Sequence, residues 1–205
     1  MIRNFTLISL VASLFLLMAC GDNSTSDKKK AKSQLKTLVQ KYKKEIKAGR
    51  KLKKEFMQTL GKQLKEAIKK SGPAGAISIC KTASSQAEQS FKSKDPNILS
   101  FRRISSKPRN VKDHTPTAAE TKKLDSMEKR VKAGKHPGLR IIAEKDSVTV
   151  LYPIRVGGLC LQCHGDPANM DKKVLAEIKK HYPDDKATGY KAKDFRGAFA
   201  IKWKQ

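Results

Sequence analysis

The sequence predicts an α+β fold in which amphipathic helices precede a mostly antiparallel sheet that has further helices inserted between its strands. Three observations carry this expectation. Apolar residues recur every three or four positions from Leu35 to Ile68, the spacing of helices with one apolar face. Four later segments are short and rich in β-branched and aromatic residues, as strands are. Between the first two of these, Thr117 and Glu120 stand three residues apart ahead of an apolar-periodic run, the spacing of a capping box.

In chain order, Leu35, Leu38, Val39, Tyr42 and Ile46 form one stripe, and Leu52, Phe56, Leu60, Leu64 and Ile68 form the next. Gly49 and Gly61 are expected to break or bend these helices. SGPAG, residues 71–75, reads as a turn, and Pro73 suits the first turn of a new helix. That helix runs through AISICKTASSQAEQSF and carries Ile77, Cys80, Ala83 and Ala87 on one face. Strands are expected at ILSFRRISS, GLRIIAEK, VTVLYPIRV and GAFAIKW, with TAAETKKLDSMEKRVKAG a helix between the first two. No internal repeat is present.

A length of 205 residues suits one domain with an appendage. The charge is far from balanced: 45 Lys and Arg against 19 Asp and Glu give a formal +26. Such an excess suits nucleic acid, an anionic membrane surface or acidic proteins. The N-terminus decides among them. Arg3 precedes an uncharged apolar run from Leu7 to Ala19, which has the size of a signal-peptide core and is too short for a spanning helix. The run closes on Cys20, and LMAC resembles a bacterial lipobox, in which that cysteine becomes the lipidated first residue. The competing reading is an ordinary cleaved signal with an incidental cysteine. An exported chain does not meet the genome, so nucleic acid is not an expected partner. Gly21 in place of Asp after the cysteine leaves either membrane of the envelope open.

Residues 1–19 therefore read as a signal peptide, 20–32 as a flexible tether, 33–70 as a basic helical segment and 71–205 as the main domain. From Lys28 to Lys70 there are 17 Lys or Arg and only 3 Glu. A solvated helix face explains this, and attraction to anionic headgroups or an acidic partner is compatible with it.

Of four cysteines, Cys20 is assigned to lipid, which leaves Cys80, Cys160 and Cys163 in an oxidising compartment. The last two belong to GGLCLQCHGDP, residues 157–167. A structural zinc site needs four ligands, and no second cysteine pair or HxxxH follows. A thioredoxin-like pair opens a helix, whereas Gly165, Asp166 and Pro167 stop one here. Covalent c-type haem uses all three motif residues: Cys160 and Cys163 add across the vinyl groups, and His164 is placed as an axial iron ligand. One motif implies one haem. Gly157, Gly158 and Gly165 let the backbone run close to a porphyrin edge.

For the sixth position the residues leave His114, His136, His181, Met57, Met127, Met170 and Cys80 open. Surface histidines and core methionines are the competing readings. Cys80 differs in lying on the apolar helical face with no disulfide partner by count, although an inert core thiol has the same pattern.

FRRISSKPRNVKDHTPTAAE, YPIRVGGLCLQCHG and ATGYKAKDFRGAFAIKW together resemble a bacterial family of single c-haem domains with a PAS-like fold, long known only as a domain of unknown function. The likeness covers roughly residues 60–205. It implies a PAS-like antiparallel sheet, and it implies that Cys80 is the second axial ligand opposite His164. The family pattern differs at two places: a second Asn usually follows KPRN where this chain has Lys112, Asp113 and His114, and its GD pair is Lys193–Asp194 here.

A thiolate ligand favours ferric iron and calls for nearby cations, as do two haem propionates. Arg102, Arg103, Lys107 and Arg109 are the clustered supply. Arg102 and Arg103 are adjacent on a strand, so at most one faces the haem. Tyr152, Pro153, Tyr190, Arg196 and Phe199 are further candidates for the pocket wall, with core packing the competing role for the aromatics.

Three function classes follow. A redox or gas sensor is favoured by the PAS-like resemblance, and its signal would have to pass to a separate protein. A lipid-tethered, low-potential electron carrier would use the basic surface to dock an acidic redox or signalling partner. An enzyme is not expected, because no paired carboxylates and no nucleophile–base set is present. The expected protein is an envelope lipoprotein facing the periplasm, held at the membrane through Cys20.

Overall fold

The computed structural model describes the backbone of residues 23–205, and the side chains from residue 29 onward apart from that of Cys80. The proposed signal peptide and Cys20 lie outside the described residues. Helix α1 (Asn23–Lys41) occupies the stretch read as a tether, and its side chains from Lys29 to Thr37 are exposed. The KKKAK run at residues 28–32, read as part of the tether, consists of good helix formers, so local propensity decides here.

From Leu38 to Gln205 the chain forms one compact unit. Helix α2 (Lys43–Lys92) runs through Gly49 and Gly61 without a break, contrary to the expectation at those positions. Gly49 instead lets the helix approach the sheet, since a β-carbon there would lie 2.6 Å from Cζ of Tyr152 and 2.7 Å from Cη2 of Trp203. The break comes at Gly72, whose φ of 68° and ψ of 174° are not helical, and Pro73 opens the second arm as expected. The segment boundary read near residue 70 is thus a bend inside α2.

The strands are β1 (Ile98–Ile104), β2 (Arg140–Ala143), β3 (Ser147–Arg155) and β4 (Phe195–Lys204). They fall where the sequence placed them. The sheet has the order β1-β4-β3-β2, and every pairing is antiparallel. Pro153 stands in β3 beyond Leu151, the last residue that pairs with β2, so one side of the strand has no ladder there to lose a donor from.

Both faces of the sheet are covered. On one, Phe56 and Phe91 of α2 meet Phe101 and Phe199 with ring centroids 5.1–5.8 Å apart, and Val150, Ile201 and Trp203 extend the same cluster. On the other, Leu124 and Met127 of α4 (Ala118–Lys132) pack on Leu151, Ala198 and Ala200. The α4 capping box is complete: Glu120 N donates to the Thr117 hydroxyl, and Thr117 N donates to the Glu120 carboxylate. The short helix α3 (Val111–His114) is capped by Asn110, whose side-chain oxygen accepts from Asp113 N. That cap keeps the turn after KPRN without the family's second Asn. Helices α5 (Leu161–His164) and α6 (Lys172–His181) follow β3. Among the described residues no helix is long and apolar enough to cross a membrane.

Candidate functional site

Beyond β3 the chain turns through Gly158–Cys160 into the single turn of α5, and Gly165 stops it, donating its N–H to Leu161 O at 2.9 Å. A β-carbon at position 165 would lie 2.6 Å from that carbonyl, so the stop requires glycine. The turn presents Cys160, Cys163 and His164 to a partly open cavity of about 270 Å³, or about 1500 Å³ with its mouth included. The opposite wall is α2: Met57, Leu60, Leu64 and Ile68 come from its first arm, Ala76 and Ile77 from its second. The α2 side of the lining is mainly apolar, while Lys81, Arg103, Arg109, Arg155 and Arg196 make the cavity cationic, a makeup that suits an apolar ligand with acidic groups.

Cys160 and Cys163 are both half-buried and unbridged. Cys163 packs against the cluster of Ile77, Met170, Val174 and Ile178, and burial pushes its thiol up. A raised thiol is the reverse of what a thioredoxin-like nucleophile needs. Among the described residues no third and fourth ligands gather to complete a zinc site.

The His164 ring donates from Nδ1 to Ala187 O at 2.6 Å. Burial and the cations of Arg109 and Arg196 hold its imidazole well below the ordinary pKa. The ring is therefore neutral, with its proton on Nδ1 and the lone pair on Nε2. A histidine that ligates a metal is commonly oriented by such a bond from its other nitrogen to a backbone carbonyl. Tyr190 N donates to His164 O and Gly189 N to Gly165 O, which clips the motif to the segment before β4.

Of the four cations singled out by sequence, the structure brings two to the cavity, Arg103 and Arg109, and both are already neutralised. Arg109 pairs with Asp185 at 3.1 Å and also donates to Ala187 O and to Cys163 O. It clamps the motif to the 185–187 loop. Arg103 pairs with Glu88 at 2.7 Å and bonds Ser84 Oγ. Arg102 is not at the site: its side chain leaves by the other face of β1 and pairs with Glu120 of α4 at 2.6 Å. Lys107 is also off the cavity wall, donating Nζ to Thr188 O and lying 4.6 Å over the Tyr190 ring.

Tyr152 is displaced from its expected role as well. It is buried in the core, and its hydroxyl donates to Ile46 O at 3.2 Å. Burial pushes its phenol well above the ordinary value, and Tyr152 lies in the core with Phe199 and not on the cavity wall. Among the sixth-ligand candidates, Met127 and Met170 are buried in clusters, and His136 and His181 do not line the cavity, whereas Met57 and His114 do. Position 80 falls three residues after Ile77 and four before Ser84, both lining residues of the same arm. Its side chain lies outside what the structure describes. Arg196, only one of several wall candidates in the sequence, does line the cavity.

The family model for Tll0287-like proteins matches residues 25–203. The chain belongs to the Tll0287-like family. A solved member of similar shape is the crystal structure of the cyanobacterial haem-protein Tll0287, with a TM-score of 0.54 and 19% identity, covering 79% of this chain and 96% of that one. At that identity the likeness shows a shared fold. A search of curated proteins gives no match. For the Tll0287-like chain described here, the α+β fold with an antiparallel sheet is thereby established from the family and from its own architecture.

Proposed function

We propose that this protein is an exported, lipid-anchored monohaem c-type cytochrome-like protein that acts in redox or gas sensing. The observation that carries the reading is the motif's arrangement: two unbridged cysteines and a neutral histidine, fixed through Nδ1 to a backbone carbonyl, all face one apolar cavity. The haem nature of the Tll0287 protein and membership of its family support it.

The residues present fit such a group. Cys160 and Cys163, with two residues between them, would be the thioether anchors, and His164 would offer Nε2 to the iron. Cys80, on the second arm of α2, would be the second residue to hold the iron. Bound haem supplies a one-electron redox centre. Arg109 holds the motif backbone in place, the α2 residues exclude water from one face, and Ala187 O fixes the His164 tautomer. A thiolate at Cys80 would favour the oxidised state of the iron and so a low potential. A second ligand that held the iron only weakly would suit sensing. The protein is no enzyme in this reading. It is held at the cell envelope through Cys20, faces the periplasm, and uses its basic surface to meet an acidic signalling or redox partner.

The test is a spectroscopic series on protein matured with haem. Cys80→Ala is expected to lose the ferric low-spin spectrum of the wild type; an unchanged spectrum removes the thiolate ligand. Cys163→Ala is expected to lose one covalent bond, and full-yield attachment through two bonds sinks the haem c reading. Rapid binding of CO or NO by the reduced protein is expected for a sensor. A closed six-coordinate ferrous form supports the alternative, a low-potential electron carrier.

A further inference from the structure

β3 and β4 change register near the cavity. Ile154 pairs with Gly197 and Arg155 with Phe195, so Arg196 is the extra residue of a β-bulge. A bulge re-aims the side chain it carries, and here the guanidinium of Arg196 joins the cavity wall. The next residue shows how the geometry is enforced. Gly197 has φ 144°, and a β-carbon there would collide with Ile104 O, so only glycine allows β1 to close over the bulge. Ser105 Oγ then donates to Arg196 O at 2.7 Å and locks the turned backbone.

The charge so placed has no ion pair of its own, and Asp185, already bound to Arg109, acts on it only at longer range. Arg103 and Arg109 face the same cavity with Glu88 and Asp185 bound to them, whereas among the described residues no carboxylate lies within 4.0 Å of Arg196. Its contacts are Lys107 O, 3.1 Å from Nη1, and the Tyr190 ring, 5.4 Å from Cζ. Burial pulls its pKa down from the ordinary value, so the position costs free energy without a partner anion. Lys81 and Arg155 reach the same cavity without a carboxylate partner too, but both are exposed at its rim.

We propose that Arg196, turned inward by the bulge, is the carboxylate-binding group of the cavity and takes a propionate of the bound haem. The assignment rests on the haem reading given above. It adds which cation the carboxylate meets, and it replaces the set of Arg102, Arg103, Lys107 and Arg109 expected from sequence.

The experiment compares haem-loaded wild type, Arg196→Gln and Arg196→Lys. Covalent haem per chain is read by mass, the propionate bending band by resonance Raman, and the midpoint potential as a function of pH. Arg196→Gln is expected to keep its covalent haem, to shift the propionate band, and to lower the potential at neutral pH. Its pH-dependent step should move up by about one pH unit or more, because a carboxylate loses an adjacent cation. Arg196→Lys keeps the charge and loses the planar fork, so its pH step should stay near wild type while the band shifts. A loaded Gln variant whose band and pH profile superimpose on wild type overturns the assignment alone, as does an unshifted band in the Lys variant. A wild-type midpoint that responds to added acetate points to a soluble carboxylate as occupant and overturns the propionate. Wild type without covalent haem overturns the haem reading and this assignment with it.

Discussion

Lys193 is the one described non-glycine residue with positive φ, at 71°. It stands where the resembling family carries the glycine of its GD pair, and its N–H donates to Val156 O at 2.8 Å, so the conformation is held by the loop and not chosen by the side chain. An L-residue in that region costs about 1–2 kcal/mol, of which the greater chain entropy of glycine gives back about 0.5–1. Lys193→Gly is therefore expected to stabilise the fold by about 0.5–1 kcal/mol, seen as a higher urea midpoint with unchanged slope. A lower midpoint would show that the lysine side chain has a role the strain argument omits. At this scale the sequence was legible where chemistry is contiguous, as in Cys160, Cys163 and His164. It was opaque where a partner is distant: Asp185, which neutralises Arg109, is 76 residues away. An isolated glycine in a strand pattern was the available signal for the bulge at Arg196, since Gly197 is otherwise costly there.

Glu88 ties three elements together. It belongs to α2, accepts from Arg103 of β1 at 2.7 Å, and lies 3.2 Å from His114 of α3. Burial alone would raise its carboxyl, but His114 and Arg103 more than reverse that and hold it below the ordinary carboxylate range. A depressed carboxyl contributes stability above its unfolded pKa and loses that contribution as pH falls through its folded one. Glu88→Gln is thus expected to cost about 2–3 kcal/mol at pH 7 by leaving Arg103 half-paired in a buried setting. The deficit against wild type should close as pH falls below the ordinary glutamate value of about 4.3 and on through the lower folded one. Urea unfolding at several pH values reads this, and a deficit constant from pH 7 to pH 3 would assign the loss to packing. The strands, the α4 capping box and the Pro73 start were legible because each rests on a local pattern. Gly49 was misjudged because its reason, the approach of Tyr152 and Trp203, is tertiary.

At the scale of the whole molecule, a formal +26 on 205 residues is a repulsive load that the compact state concentrates. Salt screens it, with a Debye length of about 10 Å at 0.1 M. The heat-unfolding midpoint is expected to rise between about 0.02 and 0.3 M NaCl, by about 2–4 °C for each kcal/mol of repulsion removed. A midpoint that falls with salt would mean that the ion pairs, Arg102–Glu120 and Arg109–Asp185 among them, outweigh the repulsion. The bend at Gly72 has a consequence for how such a chain can change. In an unbroken helix every inserted residue turns all that follows by about 100°, so the face carrying positions 77, 80 and 84 would swing away from the cavity. The non-helical φ and ψ of Gly72 end one helical phase and start another at Pro73. Because glycine adopts other φ and ψ at little cost, a change of length in the first arm can be absorbed at Gly72 instead of being passed to the second, so the two walls of the cavity can diverge.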